Sequence, residues 1–345
     1  MWKREKAGRY ERETRRDHGF DNIRGLLIIC VVFAHLLEIR MPFSNGSDIY
    51  RVIYSFHMPM FLFLSGWFAK FDRAKLIFGL FIPYLLLQVA YIFFQRWLYG
   101  TVVTMQFATP YWVLWFLLAL FFYHLMIPLY NVQTPWIRLA ALLGAFALSL
   151  IAGYDPSVGY GMTLSRFLVF QPWFMLGFYL RRGEDKKMHW VIRIGIVAAL
   201  SLCVVLLCRS EITNNMLYGS YPYATLQYHA GIRLFLGLMA LLWILFFLYV
   251  IKPLVNVHIS LLTELGKHTL PVFLLHGFAV KYIGFRHPQW LESPIAFIGI
   301  VAAIVLLLGN PVVGTAFRWL FPDQWIKKWR HIKKKETQQV TTGSE

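Results

Sequence analysis

Residues 21–38, DNIRGLLIICVVFAHLLE, place an arginine and a histidine in one apolar stretch that is long enough to cross a membrane. Arg24 and His35 are eleven residues apart. At about 100° and 1.5 Å per residue, this spacing puts both on one helix face, about 16 Å from each other. Asp21 is expected to cap the helix start by accepting from unpaired N–H groups. Gly25 has no side chain, so a neighbouring group can approach the backbone beside Arg24.

The arginine and the histidine predict a functional site within the membrane. Burying an ionisable side chain in hydrocarbon costs at least about 2.5 kcal/mol, so such residues usually face a cavity. A structural alternative remains open, in which Arg24 extends to the membrane interface and His35 only packs against its neighbours.

The composition indicates an integral membrane protein. Of the 345 residues, 58% are hydrophobic and only 15% are charged, far from the average of soluble proteins. The net charge of +17 does not indicate nucleic-acid binding, because the basic residues form short runs between apolar segments. Cys30, Cys203 and Cys208 show no metal-ligand or disulfide spacing and are expected to be small core residues.

Ten apolar stretches predict an all-α, polytopic membrane protein with about ten transmembrane helices. They fall near residues 23–39, 52–70, 76–95, 111–130, 136–153, 166–181, 190–208, 231–251, 268–283 and 294–317. With the N-terminus inside, 24 of the 34 Lys and Arg residues are cytoplasmic, eight are outside and two lie at inner helix ends. This asymmetry predicts that both termini are cytoplasmic. The N-terminus is too polar, and the first span too long, for a cleaved signal peptide.

The spans define three expected regions. These are a basic cytoplasmic N-terminal segment at residues 1–22, a transmembrane domain at residues 23–320 and a basic cytoplasmic tail at residues 321–345. Internal repeats and a soluble domain are not evident in the sequence.

Further polar residues in the predicted spans are candidates for the same site. Counted from the span ends, His57 and His35 lie at a similar depth, about 7 to 8 Å below the outer boundary, and could share a pocket. Arg166, near the outer end of the sixth span, could pair with a buried carboxylate such as Glu38 or bind an acceptor hydroxyl. Ser65 has two interpretations, because small residues serve helix packing as readily as substrate binding.

Several motifs resemble the acyltransferase 3 family. The Asp-x-x-Arg-Gly start and the Arg-x10-His spacing of Arg24 and His35 are similar to its first helix, and the Asp-Asn-Ile-Arg-Gly opening resembles its fucose 4-O-acetylase-like branch. The resemblance extends through FHMPMFLFLSGWF, WVLWFLLAL, SRFLVFQPWFMLGFYLRR and GKHTLPVFLLHG over nearly the whole chain. His268 departs from the pattern, which has Asn at this position.

The resemblance implies a membrane-bound O-acyltransferase, specifically an O-acetyltransferase, in a bacterial cytoplasmic membrane. It would move an acyl group from cytoplasmic acyl-CoA, a donor substrate, to a hydroxyl of an extracytoplasmic or lipid-linked saccharide, without a bound cofactor or metal. His35 would be the general base, because histidine titrates in the required range, and Arg24 would hold the donor. Expected partners are membrane lipids, the saccharide acceptor and glycan-assembly proteins.

The same resemblance implies further substrate contacts. Arg73 and Lys75, in the basic loop at residues 70–75, would bind the phosphates of coenzyme A, although the positive-inside rule alone also explains them. The complete set of expected substrate-binding residues is Asp21, Glu38, His57, Ser65, Arg73, Lys75, Arg166 and His276.

Two other functional classes stay open. A transporter or exporter of a polysaccharide or small solute would also bury Arg and His beside a cavity, although such proteins commonly show internal repeats. A receptor or regulatory module with an inactive site is the third class, against which the intact Arg24, His35 and His57 argue. Direct transfer and a two-step relay through an acyl-enzyme both fit the pattern.

Overall fold

The computed structural model describes residues 17–40, 47–100, 105–181 and 188–317. Within these ranges, all regular secondary structure is helical, which confirms the predicted all-α class for this part of the chain. The expected basic N-terminal segment, apart from residues 17–22, and the expected tail at residues 321–345 lie outside the described residues.

Twelve helices of six or more residues form the described part of the chain. They are α1 His18–Arg40, α2 Asp48–Trp67, α3 Arg73–Tyr99, α4 Trp112–Leu125, α5 Pro135–Ile151, α6 Leu164–Leu180, α7 Trp190–Arg209, α8 Ala230–Leu254, α9 Ser260–Lys267, α10 Thr269–Arg286, α11 Pro294–Leu308 and α12 Pro311–Ala316. Two short helical turns, Asn214–Leu217 and Tyr223–Leu226, lie in the segment that joins α7 to α8.

Four of the described helices, α1, α3, α7 and α8, are long and apolar enough to cross a membrane. The other six predicted spans correspond to helices that are shorter or more polar. For example, α4, α5 and α11 are apolar but have fewer than 18 residues, and α2 contains Asp48, Arg51 and His57. Large apolar side chains such as Trp136 and Ile295 are exposed on the outside of the bundle, as expected for contact with lipid.

Helices α1 and α2 occupy the centre of the bundle. Helix α1 packs against α2, α9, α10 and α11, whereas α2 also packs against α6, α7 and α8. Apolar residues of α1 such as Leu27 and Val31 are completely buried. Because other helices surround these two, the polar side chains of α1 and α2 are shielded from lipid and can face one another.

The crossing of α2 and α6 depends on two glycines. A Cβ atom at Gly66 would overlap the carbonyl oxygen of Phe174, and one at Gly177 would overlap the carbonyl oxygen of Phe63. The two helices therefore approach with their backbones nearly in contact, as small residues allow in membrane proteins. This contact assigns Gly66 a packing role.

A similar approach occupies the space beside Arg24. A Cβ atom at Gly25 of α1 would overlap the carbonyl oxygen of Leu262 in α9. The close neighbour that Gly25 allows is therefore the backbone of α9.

Candidate active site

A cavity of about 250 Å³ lies between α1, α2, α4, α6, α10 and the segment that joins α7 to α8. Its wall combines ionisable side chains with aromatic rings. The lining residues are His35, Glu38, Tyr54, His57, Met58, Trp112, Val113, Trp115, Tyr160, Arg166, Phe170, Leu217, Tyr218, Tyr221 and Phe273. His35 and His57 thus line the same cavity, as their similar predicted depth suggested.

Three side chains form a hydrogen-bonded cluster in the wall of this cavity. The Nδ1 atom of His35 lies 3.1 Å from Oε2 of Glu38, which is one turn farther along α1. The hydroxyl of Tyr54, on α2, lies 3.2 Å from the same carboxylate oxygen and 3.2 Å from Nδ1. We call these three residues the His35 cluster.

The cluster determines which ring nitrogen of His35 can accept a proton. A carboxylate only accepts hydrogen bonds, so Nδ1 of His35 carries a hydrogen that points at Glu38. In the neutral ring, Nε2 then keeps an unshared electron pair. This arrangement allows His35 to remove a proton from a hydroxyl group and allows Glu38 to stabilise the imidazolium that results.

Two further histidines contact the His35 cluster. The ring of His57 lies 4.6 Å from that of Tyr54, and its Nδ1 is 2.8 Å from the carbonyl oxygen of Ile53. The ring of His276, on α10, stacks on His35 at a centroid distance of 5.3 Å. Both side chains are buried. His276 packs against one face of the His35 ring and is not among the residues that line the cavity.

Arg166 contacts aromatic rings and the backbone of the α7–α8 segment. Its guanidinium lies 4.6 Å from the ring centre of Trp115 and 5.1 Å from that of Tyr160. Its Nε donates to the carbonyl oxygen of Tyr218 at 3.1 Å. These contacts hold Arg166 in the cavity wall by cation–π attraction and a backbone hydrogen bond. Of its two predicted roles, the pair with Glu38 is not among these contacts, and the binding of an acceptor hydroxyl stays a prediction.

Arg24 lies at the other end of α1 from the cavity. Both Arg24 and His35 belong to the single helix α1, but Arg24 does not line the cavity. Its Nη1 is 3.4 Å from Asp21, and its guanidinium lies 4.2 Å from the ring centre of Phe68. The predicted cap at Asp21 is wrong, because α1 begins at His18 and Asp21 lies within its first turn.

Three other predicted substrate-binding residues also lie away from the cavity. Arg73 and Lys75 are exposed on the first turn of α3, which the side chain of Asp72 caps. The hydroxyl of Ser65 donates to the carbonyl oxygen of Phe61 at 2.8 Å, one turn back along α2. The cavity therefore brings together Glu38, His57 and Arg166 with His35, and it leaves Asp21, Ser65, Arg73 and Lys75 apart.

Tyr54, Trp112 and Lys281 lie in or beside the site but are not among the residues predicted from the sequence. Tyr54 is three residues before His57 and so shares its helix face, which was a usable signal. Lys281 lies inside a predicted span, and a charged side chain within a span often marks a functional site. Its Nζ is 4.2 Å from the ring centre of Trp112. Trp112 lies 4.6 Å from the ring of His35, a contact between distant parts of the chain that no local pattern predicts.

Two buried arginines fasten the α7–α8 segment that forms one wall of the cavity. Arg51 donates to the carbonyl oxygens of Leu207 and Ser210, at 3.1 and 2.9 Å. Arg233 donates to the carbonyl oxygen of Tyr221 at 3.1 Å. Both guanidinium groups are buried, so their hydrogen bonds stabilise the end of α7 and the segment that follows it beside the site.

Comparison with known proteins relates the chain to acyltransferases. A model of the acyltransferase 3 family, described as an acyltransferase domain, matches residues 17–309. Nodulation protein NolL of Sinorhizobium fredii is 25% identical over 211 residues, which cover 52% of this chain and 52% of NolL. The chain thus spans about half the length of this curated relative. No solved structure matches the chain.

Proposed function

Because the chain belongs to the acyltransferase 3 family, we propose that it is a membrane-bound O-acyltransferase of the fucose 4-O-acetylase-like branch. The proposed reaction moves an acetyl group from cytoplasmic acetyl-CoA to a hydroxyl of an extracytoplasmic or lipid-linked saccharide. The single observation that carries this proposal is the contact between His35 and Glu38 in the wall of the cavity. It supplies the base that acyl transfer to a hydroxyl requires.

The proposed chemistry uses His35 as a general base. A hydroxyl is a weak nucleophile at neutral pH, so Nε2 takes its proton as the hydroxyl oxygen attacks the thioester carbonyl. The carbon–sulfur bond then breaks, and the coenzyme A thiolate takes up the proton that His35 releases. Glu38 accepts from Nδ1 throughout and balances the transient positive charge on the ring, as a carboxylate does for the histidine of a catalytic triad.

The acceptor is proposed to bind among the aromatic side chains of the cavity. Trp115, Tyr160 and Tyr218 offer flat faces and hydroxyl groups around Arg166. The Nε of Arg166 donates to the carbonyl oxygen of Tyr218. The other N–H groups of the guanidinium can donate to oxygen atoms of the saccharide.

The donor is proposed to bind from the other end of α1. Arg24, Arg73 and Lys75 supply positive charge for the phosphates of coenzyme A. The rise along α1 separates Arg24 from His35 by about 16 Å, so the flexible arm of coenzyme A would have to carry the thioester from the charged end to the base.

This assignment includes the topology predicted from the sequence. We propose ten spans with both termini in the cytoplasm of a bacterial cell, in the cytoplasmic membrane, with glycan-assembly proteins as partners. Coenzyme A is too highly charged to cross a bilayer, so the basic loop at residues 70–75 must face the cytosol if it binds the donor.

Radiolabelled acetyl-CoA supplied to sealed membrane vesicles tests the proposal. We expect inverted vesicles that contain the protein to label saccharide, and vesicles with His35→Gln to label it far less. Equal use of external acetyl-CoA by right-side-out vesicles would contradict cytoplasmic donor binding. Movement of saccharide without any acyl transfer by the purified protein would instead identify a transporter.

A further inference from the structure

We propose that Tyr54 is a positioning residue, whose hydroxyl acts together with Glu38 to orient the ring of His35, the proposed base. This inference rests on the proposed acyltransferase function. It assigns a role to a hydroxyl on α2, whereas the other two members of the His35 cluster lie on α1.

The hydrogens of the cluster can be arranged in one fully satisfied way. Tyr54 has one hydroxyl hydrogen and donates it to Oε2 of Glu38 at 3.2 Å. The hydrogen on Nδ1 of His35 then lies between two acceptors, Oε2 at 3.1 Å and the Tyr54 oxygen at 3.2 Å. With the other tautomer, Nδ1 and Oε2 would both be acceptors, and the single hydroxyl hydrogen of Tyr54 could serve only one of them.

Two acceptors fix the imidazole better than one. With Glu38 alone, the ring can still turn about its Cβ–Cγ bond while Nδ1 stays within hydrogen-bond distance of Oε2. The Tyr54 oxygen provides a second acceptor on a different helix and so narrows the range of ring orientations. The hydroxyl also donates to the half-buried carboxylate, which keeps Glu38 an acceptor for Nδ1.

The ring of Tyr54 is itself held by neighbours that do not touch His35. It stacks on Tyr50 at a centroid distance of 4.1 Å and an interplanar angle of 21°. The hydroxyl of Tyr50 lies 2.7 Å from that of Tyr218, in the α7–α8 segment. Replacing Tyr54 with phenylalanine therefore removes the hydroxyl and leaves the stacking intact.

Tyr54→Phe tests the role of the hydroxyl. We expect kcat to fall about 10- to 100-fold, the effect of losing one hydrogen bond to a charged group. The KM for acetyl-CoA should change by less than about twofold, because the hydroxyl is remote from the donor. Tyr123→Phe is the matched control, since its buried hydroxyl donates to the carbonyl oxygen of Phe167 at 2.7 Å outside the cavity. This control should retain wild-type kcat.

A double-mutant cycle then separates positioning from a general loss of packing. If Tyr54 and Glu38 orient the ring together, then Tyr54→Phe should reduce kcat by a smaller factor in a Glu38→Gln background than in the wild type. Additive losses would overturn the proposal, as would wild-type kcat in Tyr54→Phe.

Nitrogen NMR of ¹⁵N-histidine-labelled protein gives a readout that does not depend on turnover. We expect His35 to be protonated on Nδ1 in both proteins, because Glu38 accepts from this atom, and we expect the ¹⁵N shift of Nδ1 to change in Tyr54→Phe, because one of its two acceptors is lost. An unchanged Nδ1 shift in Tyr54→Phe would overturn the role of Tyr54. Protein that shows the expected shift change but whose wild type transfers no acyl group would instead contradict the proposed function.

Discussion

The Nδ1 atom of His35 lies 3.1 Å from Oε2 of Glu38, and the two residues are three positions apart on one helix. Side chains at this spacing meet on the same face of an α-helix. The contact between the proposed base and its carboxylate is thus made within α1 itself, an element at the centre of the bundle, and Tyr54 of α2 adds the second contact. Binding of substrates to surrounding loops need not assemble it.

The charge of Glu38 should be required for turnover and not for donor binding. In Glu38→Gln, the side chain keeps its size but no longer balances the imidazolium that forms on His35. We expect kcat to fall about 10- to 100-fold, with little change in the KM for acetyl-CoA. Steady-state kinetics of purified protein measures both values. Glu292→Gln, at an exposed position, should behave as wild type, and equal kcat in both variants would contradict the role of Glu38.

Arg24 should act in donor binding at the other end of α1. We expect Arg24→Ala to weaken acetyl-CoA binding at least about tenfold, because a charge-assisted contact with phosphate is lost. Arg24→Lys should retain part of the affinity if only positive charge matters, and almost none if the planar guanidinium clamps the phosphate. Isothermal titration calorimetry of detergent-purified variants reports the affinity. The control is Arg96→Ala, an exposed arginine of α3, and unchanged affinity in Arg24→Ala would remove Arg24 from the donor site.

The crossing of α2 and α6 should not tolerate a side chain at Gly66. Gly66→Ala is expected to lower stability by about 1–3 kcal/mol, since its Cβ would overlap the carbonyl oxygen of Phe174. Thermal unfolding followed by size-exclusion elution measures the change. Gly195→Ala is the control, because a Cβ at this position of α7 meets open space and alanine favours a helix. Equal melting temperatures in the two variants would show that the helices can separate at this crossing.

Much of α1 could be predicted because its signals are local. The 3.6-residue period relates Arg24 to His35 on one helix, and the cost of burying charge points to a cavity beside His35. Depth counted along two helices was enough to bring His57 to the same cavity. The sequence predicts that α1 starts at Asp21, a good capping residue, whereas the helix begins at His18.

The rest of the site depends on contacts between distant residues. Trp112 contacts the ring of His35 because the first turn of α4 packs against α10, and nothing in the sequence near Trp112 indicates this contact. The backbone of α9 lies against Gly25. A glycine in the sequence indicates that some group can approach closely, but it does not identify that group. Tyr54 carries a helical-face signal, but tyrosines near span ends are common in membrane proteins and the hydroxyl contact identifies this one.

The transfer rate of His35→Gln tests the central claim most directly. Glutamine keeps hydrogen-bonding groups near the position of the ring but cannot take up the proton of an acceptor hydroxyl. In a single-turnover assay with purified protein saturated with acetyl-CoA, we predict that acyl transfer falls about 10²- to 10⁴-fold while acetyl-CoA affinity is unchanged. Monodisperse elution confirms that the variant is folded. Transfer by His35→Gln at the wild-type rate would contradict the assignment of His35 as the base.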